Sequence, residues 1–229
     1  MSSTTAQLMA NDGLGLLLRR WECPTPRARM LIIHGVGEHS GRWGHVGDFF
    51  ADRGYDVTAF DLRGHGASGG DRVDLESFDQ YLDDVERVFG EIPDDLPRII
   101  YGHSMGGLIA TAYGMSSRMQ PDRYVLSAPA LAADVPAALR LAAKVLSRIT
   151  PGLRLKNSIK GEQLSRDPSV GEKYFADPLV ETKATARFGA ILFGEMDSLG
   201  DGYQGLSRPT LVIHGAEDSL VPPRASAPL

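Results

Sequence analysis

The sequence predicts an α/β fold: a mostly parallel, twisted sheet flanked by helices, with a helical cap inserted late in the chain. Three observations predict it. Short β-rich runs alternate with stretches of helical periodicity. The runs Leu31-Ile32-Ile33 and Leu211-Val212-Ile213 are continuously apolar rather than alternating, as strands covered on both faces must be. Finally, the strand–helix rhythm breaks for about 80 residues after Ser127, far more than one crossover helix requires.

Strands are expected at 16–21, 29–34, 56–61, 98–102, 123–127 and 210–214. A helix is expected to start near His45. The clearest helix is 77–89, where Ser77 and Gln80 form a capping box, Phe78, Tyr81, Leu82, Val85, Val88 and Phe89 keep helical spacing, and Gly90 supplies a stop. Another helical run covers 108–115. After Ala128-Pro129 follow an Ala/Leu-rich helix at 135–149, a polar stretch at 159–178 and a helical pattern at 182–194. The domains are therefore expected to be a core of 1–129 with 206–229, and a helical cap, or lid, of 130–205.

Composition narrows the function classes. Of 229 residues, 42% are apolar and 23% charged, which excludes disordered and fibrous proteins. Acidic residues outnumber basic ones by 29 to 24, a net charge of −5 that argues against a nucleic-acid partner. The single cysteine, Cys23, cannot form an internal disulfide. The first 21 residues lack the long apolar stretch of a signal peptide, and no window has the ~18 apolar residues of a membrane span. A soluble, cytoplasmic protein is expected.

The strongest chemical signal is Gly102-His103-Ser104-Met105-Gly106-Gly107, between an apolar strand and a helical run. This is a G-x-S-x-G nucleophile elbow in the context that motif demands. A serine exposed on a strained turn leaves no room for side chains two residues either way. Met105 N–H then points from a helix N-terminus at the place where an oxyanion forms. The second piece, His34-Gly35-Val36-Gly37-Glu38-His39-Ser40-Gly41, follows a strand directly, and Val36 N–H is the natural second oxyanion donor. The third is His214-Gly215-Ala216-Glu217-Asp218. An acid in a loop after a strand beyond the nucleophile fits the chain order Ser…Asp…His, and both Glu217 and Asp218 are candidates.

Other motifs are set aside. Gly64-His65-Gly66-Ala67-Ser68-Gly69 matches G-x-G-x-x-G, but no helix opens directly after it, so no dinucleotide cofactor is expected. No P-loop is present. His34, His39 and His45 lack the companion ligands of a metal site. No cofactor is called for.

These segments, with Asp61-Leu62-Arg63-Gly64-His65-Gly66-Ala67-Ser68 and Asp177-Pro178-Leu179, resemble the monoacylglycerol lipase/lysophospholipase group of α/β-hydrolases, often classed with serine aminopeptidase-like proteins. The resemblance runs from about residue 13 to 222. It implies a serine carboxylester hydrolase acting on a lipid ester with a single acyl chain. Ser104 would be the nucleophile, Asp218 rather than Glu217 the acid, and the Val36 and Met105 amides the oxyanion hole. Other esterase, thioesterase or peptidase activities on the same framework, and a non-catalytic ligand-binding role, stay open.

One departure from the family pattern is expected to matter. The family's catalytic histidine lies roughly 30 residues beyond the acid, and none of the six histidines here matches it. On this reading the chain lacks the last strand and helix and is C-terminally incomplete. It would be nearly inactive, and the strand at 210–214 would present an open apolar edge that invites aggregation. In the cap, Val135, Leu139, Ala142, Leu146 and Ile149 form an apolar stripe, with Arg140, Lys144 and Arg148 on another face. That helix either packs on the core or makes peripheral contact with an anionic membrane.

Overall fold

A computed structural model of the chain describes residues 3–157, 159–200 and 205–227. Seven strands form one sheet: β1 (Thr4–Met9), β2 (Gly15–Trp21), β3 (Ala28–Ile33), β4 (Tyr55–Phe60), β5 (Arg98–His103), β6 (Arg123–Ser127) and β9 (Thr210–Ile213). Their order across the sheet is β1-β2-β4-β3-β5-β6-β9. The pairs β3/β4, β3/β5, β5/β6 and β6/β9 are parallel, whereas β1/β2 and β2/β4 are antiparallel. The predicted mostly parallel α/β sheet is therefore observed. β1, with a largely exposed, polar sequence, carried no apolar alternation and was not predicted.

Alternation along the central strands builds two cores. Met30 and Ile32 of β3, with Val57 and Ala59 of β4, face Trp21, Trp43 and Ala51 on one side. Leu31 and Ile33, with Phe60 and Ile100, face the other side. There α2 (Asp79–Phe89) contributes Tyr81, Leu82, Val85, Val88 and Phe89, and α3 (Met105–Gly114) is buried along its whole length. On the first side α1 (Gly44–Ala51) sits tight on the sheet, because Gly47 lies where any Cβ would overlap the Trp21 ring. The predicted capping box is half formed. Gln80 Oε1 accepts from the Glu76 amide at 2.9 Å and the Ser77 amide at 3.5 Å, but the helix starts only at Asp79.

Between β6 and β9 lie α4 (Ala137–Ile149), β7 (Arg154–Lys156), α5 (Pro168–Ala176), β8 (Lys183–Thr185) and α6 (Ala186–Leu199). β7 and β8 pair antiparallel in a separate two-stranded ribbon. The polar stretch at 159–178 contains a helix the periodicity did not predict. Its signal is local: Asp167 caps α5 by accepting from the Ser169 amide at 2.9 Å, and Pro168 occupies the first turn. Phe188, Met196 and Leu199 of α6 join the core on the α2/α3 side. No residue of α4 is buried, and its Leu139, Leu141, Val145 and Ile149 side chains are exposed.

Among the described residues β9 stands at the margin of the sheet, the open edge expected of it. Coverage on both faces, which its apolar run also suggested, is not observed: Leu211 is 57% and Ile213 51% exposed.

Candidate active site

Ser104 links β5 to α3 with φ 52° and ψ −117°, a left-handed conformation that costs a non-glycine residue about 1–3 kcal/mol. The surroundings enforce it. Ser104 N–H donates to the Ser127 carbonyl at 3.0 Å, and its own carbonyl accepts from the amides of Gly107, Leu108 and Ala130. A Cβ at Gly102 would overlap the Gly106 carbonyl, and one at Gly106 would overlap the Ile33 carbonyl. Both flanking glycines of the elbow are thus required by close backbone approach.

The turn after β3 lies beside the serine, since a Cβ at Gly35 would come within 3.3 Å of Ser104 Cβ. Four ties fix this loop. Gly35 N–H donates to Glu38 Oε1 at 2.7 Å, Ser40 N–H to Asp61 Oδ1 at 2.7 Å, and Glu181 N–H to the Gly37 carbonyl at 2.8 Å. His39 Nε2 lies 2.9 Å from Asp177 Oδ2. Gly37 has φ +73°, and a Cβ there would overlap the Glu181 carbonyl. The amides of Val36 and Met105 have no hydrogen-bond acceptor among the described residues, and Met105 opens α3, where the helix dipole favours negative charge.

Asp218 stands in the turn after β9. Its Oδ1 accepts from the amides of Leu220 and Val221, each at 2.9 Å, and its Oδ2 lies 3.6 Å from His214 Nε2. Glu217 points the other way, exposed and paired with Arg166 at 2.6 Å. Ser104, Gly35, Val36 and Asp218 line one cavity of about 200 Å³. Its other wall comes from residues between β6 and β9, among them Ile159, Leu164, Val170 and Tyr174.

Sequence reasoning missed that wall, together with Glu38 and Arg42. The Arg42 guanidinium lies 4.9 Å over the Tyr174 ring, and burial pushes the Tyr174 phenol up to about 12. Tyr174 is 4% exposed and its hydroxyl has no partner among the described residues. Burial also opposes ionisation of Asp177. The hydrogen bonds from His39 and the Leu179 amide outweigh it and hold that carboxyl below the usual range.

The six histidines are placed as follows. His34 is buried, donates from Nδ1 to the Gly35 carbonyl and accepts from Leu62 N–H; burial holds it below the usual imidazole range. His65 packs edge-on against it, its centroid 5.3 Å away, with Nδ1 on the Arg63 carbonyl, and burial pushes it down to about 3. His39 is bound to Asp177, and His103 Nδ1 lies 3.1 Å from the Ser127 carbonyl. His214 spans its own turn, from Ser226 Oγ at 2.6 Å to the Val221 carbonyl at 2.9 Å. His45 is exposed on α1. Among the described residues no histidine is hydrogen-bonded to Ser104.

Comparison with known proteins adds the following. A family model described as serine aminopeptidase, S33, matches residues 24–229. A monoacylglycerol lipase of Mycolicibacterium smegmatis is 39% identical over 217 residues, spanning 92% of this chain and 77% of that protein. Human monoglyceride lipase is 32% identical, spanning 93% of this chain and 73% of its own length. The crystal structure of Paleococcus ferrophilus monoacylglycerol lipase superposes with a TM-score of 0.79 at 31% identity, covering all of this chain and 83% of that one.

Proposed function

As the chain belongs to the serine aminopeptidase S33 family and is a serine hydrolase, we propose that it is a carboxylester hydrolase acting on lipids with a single acyl chain, of the monoacylglycerol type. The observation that carries this reading is the shared cavity: a strained serine, the Val36 residue whose amide has no acceptor among the described residues, and the Asp218 carboxylate all line it, and the Met105 amide follows the serine at the start of α3. Ser104 Oγ attacks the ester carbonyl, and the Val36 and Met105 amides hold the resulting oxyanion. The C–O bond to the leaving alcohol then breaks, the leaving oxygen taking up the proton the serine hydroxyl gives up, and water hydrolyses the acyl-enzyme to the fatty acid and free Ser104. The apolar side chains of Ile159, Leu164 and Val170 supply the wall against which an acyl chain would lie.

Asp218 is the group that would orient a histidine and stabilise its charged form. Among the described residues the six histidines are bonded elsewhere or exposed, and none is hydrogen-bonded to Ser104.

The exposed Leu139, Leu141, Val145 and Ile149 of α4 favour peripheral contact with a membrane, from which such a substrate would be drawn. No described helix is long and apolar enough to cross a membrane.

A fluorophosphonate probe tests the central reading. Labelling that disappears in Ser104→Ala is the expected result. Labelling equal in wild type and variant would remove the nucleophile assignment and favour a ligand-binding role. Profiling acyl glycerols against thioesters and amides then fixes the substrate class.

A further inference from the structure

We propose that Asp177 is a positioning residue: through His39 it holds the loop carrying the Val36 amide against the Ser104 cavity, so that the segment between β6 and β9 sets the geometry of the oxyanion site. The proposal rests on the reading of Ser104 as nucleophile and Val36 as oxyanion donor.

The two residues are 138 positions apart, and their bond is largely shielded from solvent, His39 being 7% exposed. The hydrogen-bond pattern fixes the tautomer. Gly41 N–H donates to His39 Nδ1 at 3.2 Å, so the Nε2 proton is the one given to Asp177 Oδ2. A neutral imidazole thus satisfies both partners and caps the short 3₁₀ turn Ser40–Trp43. Asp177 is itself fixed, because it ends α5 and its Oδ1 accepts from the Leu179 amide at 2.9 Å.

Two further ties hold the ends of the loop: Gly35 N–H to Glu38 Oε1 within the loop, and Ser40 N–H to Asp61, the residue after β4. The ties to its middle, at Gly37 and His39, both come from 177–181. Val36 lies between the end held by Glu38 and the middle held by that segment. Loss of Asp177 therefore removes one of the two ties to the middle of the loop, leaving only the Glu181–Gly37 backbone bond there, while the strand beneath stays in place. An oxyanion donor displaced by about 1 Å forfeits most of its effect.

Hydrogen exchange and probe kinetics on the full chain test this. In Asp177→Ala, the amides of Gly35, Ser40 and Gly41 are expected to exchange about 10-fold faster, with amides of β5 and α3 unchanged. The saturating rate of fluorophosphonate labelling at Ser104 is expected to fall about 10- to 100-fold, while the half-saturating probe concentration stays within about twofold. Asp177→Asn keeps an acceptor and is expected to recover most of both. His39→Ala breaks the same pair from the loop side and is expected to reproduce the loss. Loop exchange unchanged in Asp177→Ala overturns the proposal alone, as does a loosened loop with an undiminished labelling rate. Wild-type labelling no greater than that of Ser104→Ala overturns the hydrolytic reading and this proposal with it.

Discussion

At Ser104 the backbone carries strain that the fold holds in place by crowding. The Gly106 position lies against the Ile33 carbonyl and the Gly102 position against the Gly106 carbonyl, both rigid backbone of the central strands or helix. Gly106→Ala must push β3 and α3 apart, and is expected to cost about 3 kcal/mol or more. Thermal unfolding checks this, and a Tm within 2 °C (about 1 kcal/mol) of wild type would contradict it. His65 offers a pH-dependent counterpart. Burial pushes its folded-state value down to about 3 from an ordinary ~6.5. Above the ordinary value both states are neutral and the full stability is present. As pH falls below it, the unfolded chain binds a proton that the folded imidazole refuses, so stability falls down to about pH 3, at no more than ~1.4 kcal/mol per pH unit. Urea unfolding at pH 7 and pH 5 should show this loss, and a smaller one in His65→Gln. Parallel pH profiles for the two proteins would refute the assignment.

At the scale of elements, the helix α4 holds the unexpected feature. The stripe of Val135, Leu139, Ala142, Leu146 and Ile149 reads as a packing side, yet Leu139, Ala142 and Ile149 are exposed, and Arg140 on another face reaches α6. Arg140 pairs there with Asp197 at 2.6 Å and lies over the Phe193 ring. Hydrophobic periodicity tells which side is apolar and leaves open whether that side meets protein. The side chains facing solvent, Leu141, Val145 and Ile149, are flanked by exposed Lys144 and Arg148. Reversing those two charges tests membrane contact without disturbing the Arg140 pair. Binding to anionic vesicles should drop at least about 30-fold, at roughly 1 kcal/mol for each of the two basic residues lost near the surface. Sedimentation that is unchanged would refute that role. The other elements sort by the same physics. Long apolar strands and α2 were legible because their periodicity reflects burial. The exposed β1 and the ribbon of β7 and β8 were not, being short and held by backbone pairing, which leaves little trace in side-chain type.

For the whole molecule, the polar side-chain attachment of residues 183–199 centres on Asp74, in the loop between β4 and α2, beside the apolar contacts of Phe188, Met196 and Leu199. Asp74 receives the Thr185 hydroxyl at 2.6 Å and the Arg187 guanidinium at 2.5 Å, and its carboxyl is held below the usual range. Burial opposes this, but those bonds outweigh it. Arg187→Met removes the cation and leaves Asp74 with the hydroxyl. A loss of about 2 kcal/mol is expected, together with faster proteolysis between β6 and β9. Cleavage at the wild-type rate would show the attachment to rest elsewhere. The candidate site was legible at this scale only in part. Ser104, Val36, Met105 and Asp218 sit in short motifs whose geometry is local. Tyr174 reaches the cavity through tertiary folding, from a stretch whose polar composition resembles an ordinary loop; Asp177 was legible as part of a motif, but its pairing with His39 was not.

The strand order also dictates when this arrangement is finished. The elbow and the glycine-rich turn sit on β5 and β3, neighbours complete once roughly half the chain exists, whereas Asp218 arrives on β9, which must close a long excursion to pair Tyr124 with Thr210. Closing so distant a contact is slow compared with pairing nearby strands. During synthesis or refolding, the Ser104 turn and the glycine-rich loop beside it therefore take shape first, and Asp218 joins them later.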